Sequence, residues 1–284
     1  MIIDDLVRGS IDMHLHHGPD LTMPTRSDAL ETARQARAMG MRAIVLKNQN
    51  YPTAPLATMV NQLVPEVKVF GSICLDYDVG GLNYYALETS AKLGAKVVWM
   101  PTHSSKTSPN KSGRLPGDEN GLSILTPENK LVPEMERILS LVKEYGLVPA
   151  SGHISARETM VLAEEARAMG ITKFVVTHAS THSFERSPNL EEQRRLTQMG
   201  AFIEYIYVGF LPNEHRDDPQ QLVKAIRNVG AEHCIIGTDL GQAFNPTPAE
   251  GMRMFIALLL KNGSSEREIE LMAKVNPAKL LDLD

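Results

Sequence analysis

The sequence predicts an α/β protein in which eight parallel strands alternate with helices and close into a barrel. Two observations predict this fold: a unit of helix, glycine and apolar run that recurs along the chain, and a count of eight such apolar runs. A third is the length of 284 residues, with 43% hydrophobic and 22% charged residues, which suits one (β/α)8 TIM barrel.

The repeated unit is clearest in the pentapeptide ARAMG, which occurs at residues 36–40 and again at 166–170. Looser copies surround Gly94, Gly146, Gly200 and Gly230. A glycine at this place suits the left-handed backbone at a helix C-terminus, and the apolar run after it predicts a strand buried on both faces. Alternating helices and buried strands indicate a parallel sheet.

The chain contains no glycine-rich phosphate-binding turn of the GxGxxG or GxxxxGK[ST] type. This favours a closed barrel over the alternative of a smaller doubly wound domain joined to a helical domain. We therefore expect one barrel domain over residues 1–284. Its strands are predicted at about residues 12–16, 43–47, 68–75, 96–100, 148–153, 173–177, 202–206 and 234–238.

One stretch interrupts the repeat, from about residue 103 to residue 133 after the fourth strand. Ser, Lys, Pro, Gly and Asn crowd together there, and SILTPENKLV near its end predicts a short β-hairpin. A long loop on the active face of a barrel is typical of a lid or a substrate-binding element, with disorder as the alternative. We expect it to lie over the barrel mouth.

Composition limits the classes of partner and the cellular location that we expect for the protein. A net charge of −5 and a pI near 6.0 give no basic surplus for nucleic acid or an anionic membrane, so we expect a small-molecule substrate. The N-terminus lacks an export signal and the longest apolar run is too short to span a bilayer, which favours the cytoplasm. Cys74 and Cys234 lie in apolar runs and are expected to be buried. We leave open whether the chain forms a homo-oligomer.

Side chains able to bind metal follow the strands at their C-terminal ends, the face on which barrel enzymes carry their chemistry. His14 and His16 are two apart on strand 1, so both can point into the barrel. His153, His178 and Asp239 follow strands 5, 6 and 8, seven, eight and nine residues beyond their glycines. Four imidazoles and a carboxylate at one level suit one or two divalent ions, zinc first, with Mn, Fe or Ni as alternatives.

Other polar residues near these positions have weaker signals. A lone histidine at a strand end is more often a hydrogen-bonded structural residue, and only the coincidence of five favours metal. We predict substrate contacts for His17, His103 and His182, with plain loop positions as the alternative for His17 and His182. Arg26 is predicted to bind an anionic substrate group, with a solvated helix residue as the alternative.

The motif His-x-His on strand 1, one histidine each on strands 5 and 6, and an aspartate on strand 8 resemble the amidohydrolase superfamily. The ending NPAKLLDL also resembles that superfamily's last helix. The resemblance implies that His14, His16 and His153 or His178 bind metal, and that Asp239 binds it and takes a proton from water. No strand-forming segment precedes His14, so we expect the accessory β-sandwich of many members to be absent.

Lys47 is the point at which the sequence departs from that pattern. Binuclear members carry a carboxylated lysine on strand 4, whereas here strand 4 ends VVWMPTHS and the conspicuous lysine closes strand 2. A buried lysine needs an acidic partner, a depressed pKa or conversion to a carbamate, unless it reaches bulk water. We predict that Lys47 lies at the metal site in a charged or hydrogen-bonding role, and the metal count stays open.

The predicted activity is a metal-dependent hydrolase that activates water against a small amide, ester, lactone or phosphoester, with His178 stabilising the oxyanion if it is not a ligand. One alternative is a metal-dependent decarboxylase of the same superfamily. Another is a histidinol-phosphatase-like phosphoesterase, which eight strands disfavour, and a third is a barrel that binds metal or ligand without turnover. No GxSxG motif supports a serine hydrolase.

Overall fold

The computed structural model describes residues 2–108, 121–179, 187–212 and 216–283, and its strands form one parallel sheet in chain order. Each strand pairs with the strand that follows it in the sequence. The strands are β1 (Ile11–His16), β2 (Ala43–Lys47), β3 (Lys68–Cys74), β4 (Ala95–Trp99), β5 (Val148–Ala150), β6 (Val175–Val176), β7 (Phe202–Ile206) and β8 (Cys234–Gly237).

The last strand returns to the first and nearly closes the sheet into a barrel. The Asp239 amide, just after β8, donates to the His14 carbonyl at 2.7 Å, and the His16 amide donates to the Leu240 carbonyl at 2.7 Å. The predicted (β/α)8 barrel is therefore confirmed. Its closing seam runs between the segments that carry three of the predicted metal ligands.

The eight strands lie where the sequence predicts them, but β5 and β6 are shorter than expected. After β5 the chain turns at Gly152, which has a φ of 58°. A Cβ atom there would lie 2.3 Å from the Met100 carbonyl oxygen, so no other residue fits without movement of the backbone. This turn ends β5 before His153 and sets the direction of that side chain.

Helices fill the connections, and several of them start at side-chain caps, such as Ser155, which forms a capping box with Glu158. The six glycines of the repeated unit all have positive φ, as the sequence predicts for helix C-termini. The helices are α1 (Ile2–Val7), α2 (Ala29–Ala38), α3 (Ala54–Leu63), α4 (Tyr84–Lys92), α5 (Pro133–Tyr145), α6 (Ala156–Ala168), α7 (Leu190–Gln198), α8 (Pro219–Val229), α9 (Pro248–Lys261), α10 (Glu266–Glu270) and α11 (Asn276–Leu281).

Two apolar clusters hold the barrel together. The larger lies between the strands and the surrounding helices. The smaller, the lower interior, fills the barrel from the N-terminal ends of the strands up to Trp99 and includes Ala278, Leu280 and Leu281 of α11. The upper half of the interior is left for polar side chains. The lower interior consists of Ile11, Met13, Ala43, Val45, Cys74, Val97, Trp99, Val148, Ala150, Val175, Phe202, Ile235, Ala278, Leu280 and Leu281.

The pairing of β1 with β2 shifts by one residue between Asp12 and Leu15, which marks a β-bulge. Met13 packs in the lower interior, whereas Leu15 packs outward against the helices. Strict alternation from Met13 would place Leu15 inside the barrel. The extra residue instead turns His14 and His16 into the barrel.

The insertion after β4 is described at its two ends, and residues 109–120 lie outside the described residues. The Thr126 amide donates to the Lys130 carbonyl at 2.8 Å, and Leu125 and Leu131 form an antiparallel bridge, at the place where the sequence predicts a short hairpin. That the insertion covers the barrel mouth stays a prediction. Separately, none of the helices in the described ranges has both the length and the apolar character needed to cross a membrane.

Candidate metal centre

The predicted ligands meet at the C-terminal end of the barrel. His14, His178 and Asp239 each place a ligand atom within 4.8 Å of the others, and all three are buried. His16 joins them through its Nε2 atom, which lies 2.9 Å from Asp239 Oδ1. His153 lies one step further out, with its ring centroid 5.0 Å from that of His178. The structure thus brings all five predicted ligands together.

Asp239 is the centre of this group. Its Oδ1 atom is 3.0 Å from His14 Nε2 and 2.9 Å from His16 Nε2, and its Oδ2 atom is 3.7 Å from His178 Nε2. Burial would raise the pKa of Asp239, but the charge interactions with His14 and His178 and the hydrogen bonds from His14 and His16 hold it well below its usual value. Asp239 is therefore an ionised carboxylate at neutral pH.

The backbone at two of the predicted ligands is strained. His178 has a φ of 58° and Asp239 a φ of 52°, in the left-handed region that residues with a Cβ atom rarely adopt. Adjacent hydrogen bonds hold both conformations: Ala179 N donates to Glu204 O at 3.1 Å, and Asp239 N donates to His14 O. Strain of this kind persists where the surrounding structure fixes the side chain in a required direction.

The imidazoles differ in charge because their surroundings differ. Burial lowers the pKa of His16 to about 4 and that of His178 well below its usual value, so both rings are neutral and offer a lone pair. For His14, burial and Lys47 lower the pKa, but the carboxylates of Glu204 and Asp239 outweigh them and raise it to about 9. A metal ion at His14 Nε2 must therefore displace a proton.

Glu204 on β7 is a site residue that the sequence analysis missed. Its side chain is fully buried, and its Oε2 atom lies 2.9 Å from His14 Nδ1. With Nδ1 donating to Glu204, the other nitrogen of the His14 ring faces Asp239, which is the arrangement that orients a metal-binding histidine. The available signal was an acidic residue within the apolar strand FIEYI.

Asp12 is a second missed residue. It accepts hydrogen bonds from the His14 and Thr238 amides, both at 3.1 Å, and from the Thr238 hydroxyl. Burial raises the pKa of Asp12 to about 7. The side chain thus ties the bulge in β1 to the segment that precedes Asp239.

Lys47 enters the site and does not reach bulk water. It is 1% exposed, its Nζ atom lies 2.8 Å from His14 Nε2, and the same atom sits 4.7 Å from the centroid of the Trp99 ring. Lys47 therefore lies beside the predicted ligands, within hydrogen-bonding distance of His14. Because the amine contacts the nitrogen that would bind metal, it must turn aside when a cation is held there.

A cavity of about 160 Å³ opens beside the cluster. Of the predicted substrate contacts, His103 lines it, whereas His17 is buried against the Gly18 carbonyl and Arg26 is exposed and donates to the Ala243 carbonyl at 3.0 Å. His182 lies outside the described residues. The lining residues are His16, Met23, Lys47, Gln49, His103, Ser108, His153, His178, Asp239 and Gln242.

The donor set fits a divalent metal ion. Neutral imidazole nitrogens and an ionised carboxylate are the ligands that zinc and related ions prefer. A second carboxylate, Glu204, supports one of the imidazoles from behind. A cavity next to the group leaves space for a further ligand, as a catalytic rather than a structural site requires.

Fold and site together define the class: a TIM barrel with a candidate metal centre at the C-terminal ends of its strands. A family model described as "Family of unknown function (DUF6282)" matches residues 9–204, and the chain belongs to that family. A search of curated proteins finds no significant match.

Solved structures of the amidohydrolase superfamily share the fold. An amidohydrolase from Pseudomonas aeruginosa superposes with a TM-score of 0.67 at 13% identity, over 99% of this chain and 97% of the other. A probable dipeptidase from the same organism gives 0.69 at 12%, over 98% and 96%. A 2,6-dihydroxybenzoate decarboxylase gives 0.59 at 12%, over 97% and 100%. The barrel implied by the resemblance is confirmed, and at these identities the likeness is one of fold.

Proposed function

We propose that the chain is a metal-dependent hydrolase acting on a small-molecule amide, ester, lactone or phosphoester. The observation that carries the proposal is the meeting of His14, His178 and Asp239 within 4.8 Å at the C-terminal end of the barrel. Such a group of buried ligand atoms is unusual away from a metal centre, because buried charges are costly unless paired or coordinated. The fold shared with metal-dependent hydrolases supports the same proposal.

In this proposal His14, His16, His178 and Asp239 hold the ion. Zinc or a related divalent metal held there would lower the pKa of water and polarise the group under attack. The ionised Asp239 carboxylate would accept the proton released from water. Its backbone is held by the Asp239 amide, which donates to the His14 carbonyl at 2.7 Å. Glu204 fixes the tautomer and direction of His14.

His153 and His178 have different positions, which supports a choice between the two residues that the resemblance left open. His178 contacts Asp239, whereas His153 borders the cavity beyond the His178 ring. We assign His178 to the metal and His153 to the substrate side, where a ring nitrogen can polarise a carbonyl oxygen.

Metal-dependent decarboxylation is the second candidate, and the observation that favours it is Lys47 in the cavity wall. A positive charge beside the metal ligands suits a substrate whose carboxylate is the group that leaves. A decarboxylase is also among the structures that share the fold.

The test begins with the metal content of the purified protein, measured for Zn, Mn, Fe and Ni by mass spectrometry. The stripped protein is then reloaded with each metal and screened against lactones, amides, esters, phosphoesters and carboxylic acids. We expect hydrolysis in the loaded protein alone. Release of CO2 without hydrolysis would select the decarboxylase, and absence of both bound metal and turnover would overturn the proposal.

A pair of matched variants sharpens this test. His16→Ala removes an imidazole at the centre, and His233→Ala removes one from the segment that precedes β8, at the opposite end of the barrel. We expect metal content and turnover to fall in the first variant only. Equal effects of the two substitutions would show that His16 does not belong to the metal site.

A further inference from the structure

Gln49 lies in the cavity wall and has a polar atom that the protein does not use. The residue is 2% exposed, and its buried Oε1 atom has no hydrogen-bond partner among the described residues. Buried side-chain polar atoms are nearly always hydrogen-bonded, because an unpaired one costs about 1–3 kcal/mol. An orphaned acceptor in a cavity wall indicates a donor supplied by a ligand.

The chain holds Gln49 in place from both sides. Asn48 donates to the Pro19 carbonyl at 3.0 Å and accepts from the Asn50 amide at 2.8 Å, and Asn50 accepts from the Leu21 amide at 3.0 Å. Both neighbours of Gln49 are therefore anchored to the loop after β1. Of these three side chains, Gln49 is the one that lines the cavity.

His103, also in the cavity wall, is held in a similar way. The Thr102 and Ser104 amides on either side of it donate to the buried carboxylate of Asp76 at 2.9 and 2.8 Å. The His103 ring lies 6.1 Å from that of His153. The segments after β2 and β4 thus present Gln49 and His103 from rigid supports, as a specific binding site requires.

The cavity wall holds one cationic side chain, which suits a ligand group with one negative charge. Among the ten described residues that line the cavity, Lys47 is the single cationic one, Asp239 the single carboxylate and Met23 the single apolar one. No arginine is among these described residues, although paired arginine donors are the usual partners of phosphate groups. A cavity of about 160 Å³ has room for roughly five water molecules, so the ligand is small.

We propose that Gln49, with Lys47 and His103, forms a subsite for a small carboxylic acid that carries a hydrogen-bond donor, a hydroxyl or amino group, beside its carboxylate. The Lys47 amine and the Gln49 amide nitrogen donate to the carboxylate, while Gln49 Oε1 accepts from the neighbouring donor. The place of this subsite in a reaction rests on the proposed function. Within that function, the subsite favours carboxylic acids over phosphoesters as the substrate class.

Binding of three matched probes tests the subsite without turnover. Lactate carries both groups, propionate the carboxylate alone and lactamide the hydroxyl alone. Their Kd values are measured by ligand-observed NMR in metal-stripped and metal-loaded protein. In the stripped protein we expect lactate to bind about 3–10-fold more tightly than propionate. We expect it to bind at least about 10-fold more tightly than lactamide.

Two substitutions and a control complete the experiment. Gln49→Leu should reduce lactate affinity to that of propionate, and Gln49→Glu should abolish carboxylate binding while lactamide still binds. Gln221→Leu, the same change at an exposed position on α8, should leave all three Kd values unchanged.

Several results would overturn the subsite. These are equal binding of lactate and lactamide, an unchanged lactate Kd in Gln49→Leu, and lactate binding that appears only in the metal-loaded protein, which would assign the acid to the metal itself. The stripped protein reports on the subsite even if the hydrolase proposal fails. Conversely, hydrolysis of neutral substrates without lactate binding would retain the hydrolase and reject the subsite.

Discussion

The two halves of the barrel interior are built from the same eight strands but from opposite kinds of side chain. The lower interior is apolar and sealed by Leu280 and Leu281 of α11. The upper half holds Lys47, Glu204 and Asp12, each 1% exposed or less, together with the histidines. Burial of apolar surface stabilises the lower half, by about 1.5–3 kcal/mol for each large side chain. The upper half is held by hydrogen bonds between groups that are costly to bury, so the two halves should respond differently to perturbation.

Removal of the metal should produce the largest contrast. A chelator should abolish activity, because the upper half loses the ion on which water activation depends. The helical circular dichroism should persist, because the apolar packing of the lower interior and of the outer cluster does not need the ion. The two halves meet at Trp99, whose ring centroid lies 4.6 Å from that of His14. Loss of that signal together with activity would show that the two halves are one folding unit held by the ion.

Asp239→Asn tests the upper half at a single atom. We expect turnover to fall by at least about 10²-fold while metal is retained, because three imidazoles still hold the ion but the proton acceptor is lost. Metal content and kcat are measured on the same sample. Turnover near that of the unmodified protein would exclude Asp239 as the base.

Leu280→Ala tests the lower half. This side chain is fully buried under the barrel, so its truncation should lower the free energy of unfolding by about 2–5 kcal/mol without changing the metal content. Urea denaturation measures the first quantity and mass spectrometry the second. Leu63→Ala, at a side chain that is 63% exposed, is the control and should change stability by less than about 0.5 kcal/mol. A parallel loss of metal would contradict the independence of the halves.

Glu204→Gln probes the support behind the ligands. The shape of the side chain is kept but its charge is removed, so we expect metal affinity to fall by about 10–100-fold in a competition titration. Glu232→Gln, at an exposed position before β8, should have no effect. Unchanged affinity in Glu204→Gln would mean that His14 is oriented by its other contacts.

The smallest effect is expected from the insertion after β4. Lys106 N donates to Leu122 O at 2.7 Å, so a short glycine-serine linker can replace residues 109–120 and leave the buried Ser104 and Ser105 in place. We expect altered KM values and substrate choice with an intact metal centre. If the kinetics of every accepted substrate stay the same, the segment does not contribute to the site.

The sequence predicts the strands, and the face of the barrel at which the candidate ligands meet, because both depend on local signals. A glycine at each helix end marks where the next strand begins, and His153, His178 and Asp239 follow their strands at similar distances. Parallel strands in a barrel then bring these ends to one face. The fold could therefore be predicted without knowing which residues contact each other across the barrel.

The missed features depend on contacts between distant residues. Glu204 meets His14 across 190 positions of the sequence, and Asp12 meets Thr238 across 226. The bulge in β1 depends on the register with β2, which no pattern within β1 reveals. The unpartnered Oε1 atom of Gln49 depends on the side chains around it in the fold, which the sequence does not specify locally.

The seam between the first and last strands has a consequence for how the protein is made. His16 and Asp239 are 223 residues apart, so at ribosomal rates the histidine pair waits roughly 10–45 s before the aspartate is synthesised. Helix α11, which seals the barrel from below, emerges later still. If the proposed metal centre is correct, a nascent chain carries two of its imidazoles with no carboxylate partner, and an ion captured at that stage would have an incomplete ligand set. The proposed centre would then be completed only in the released polypeptide, after the first and last strands have paired.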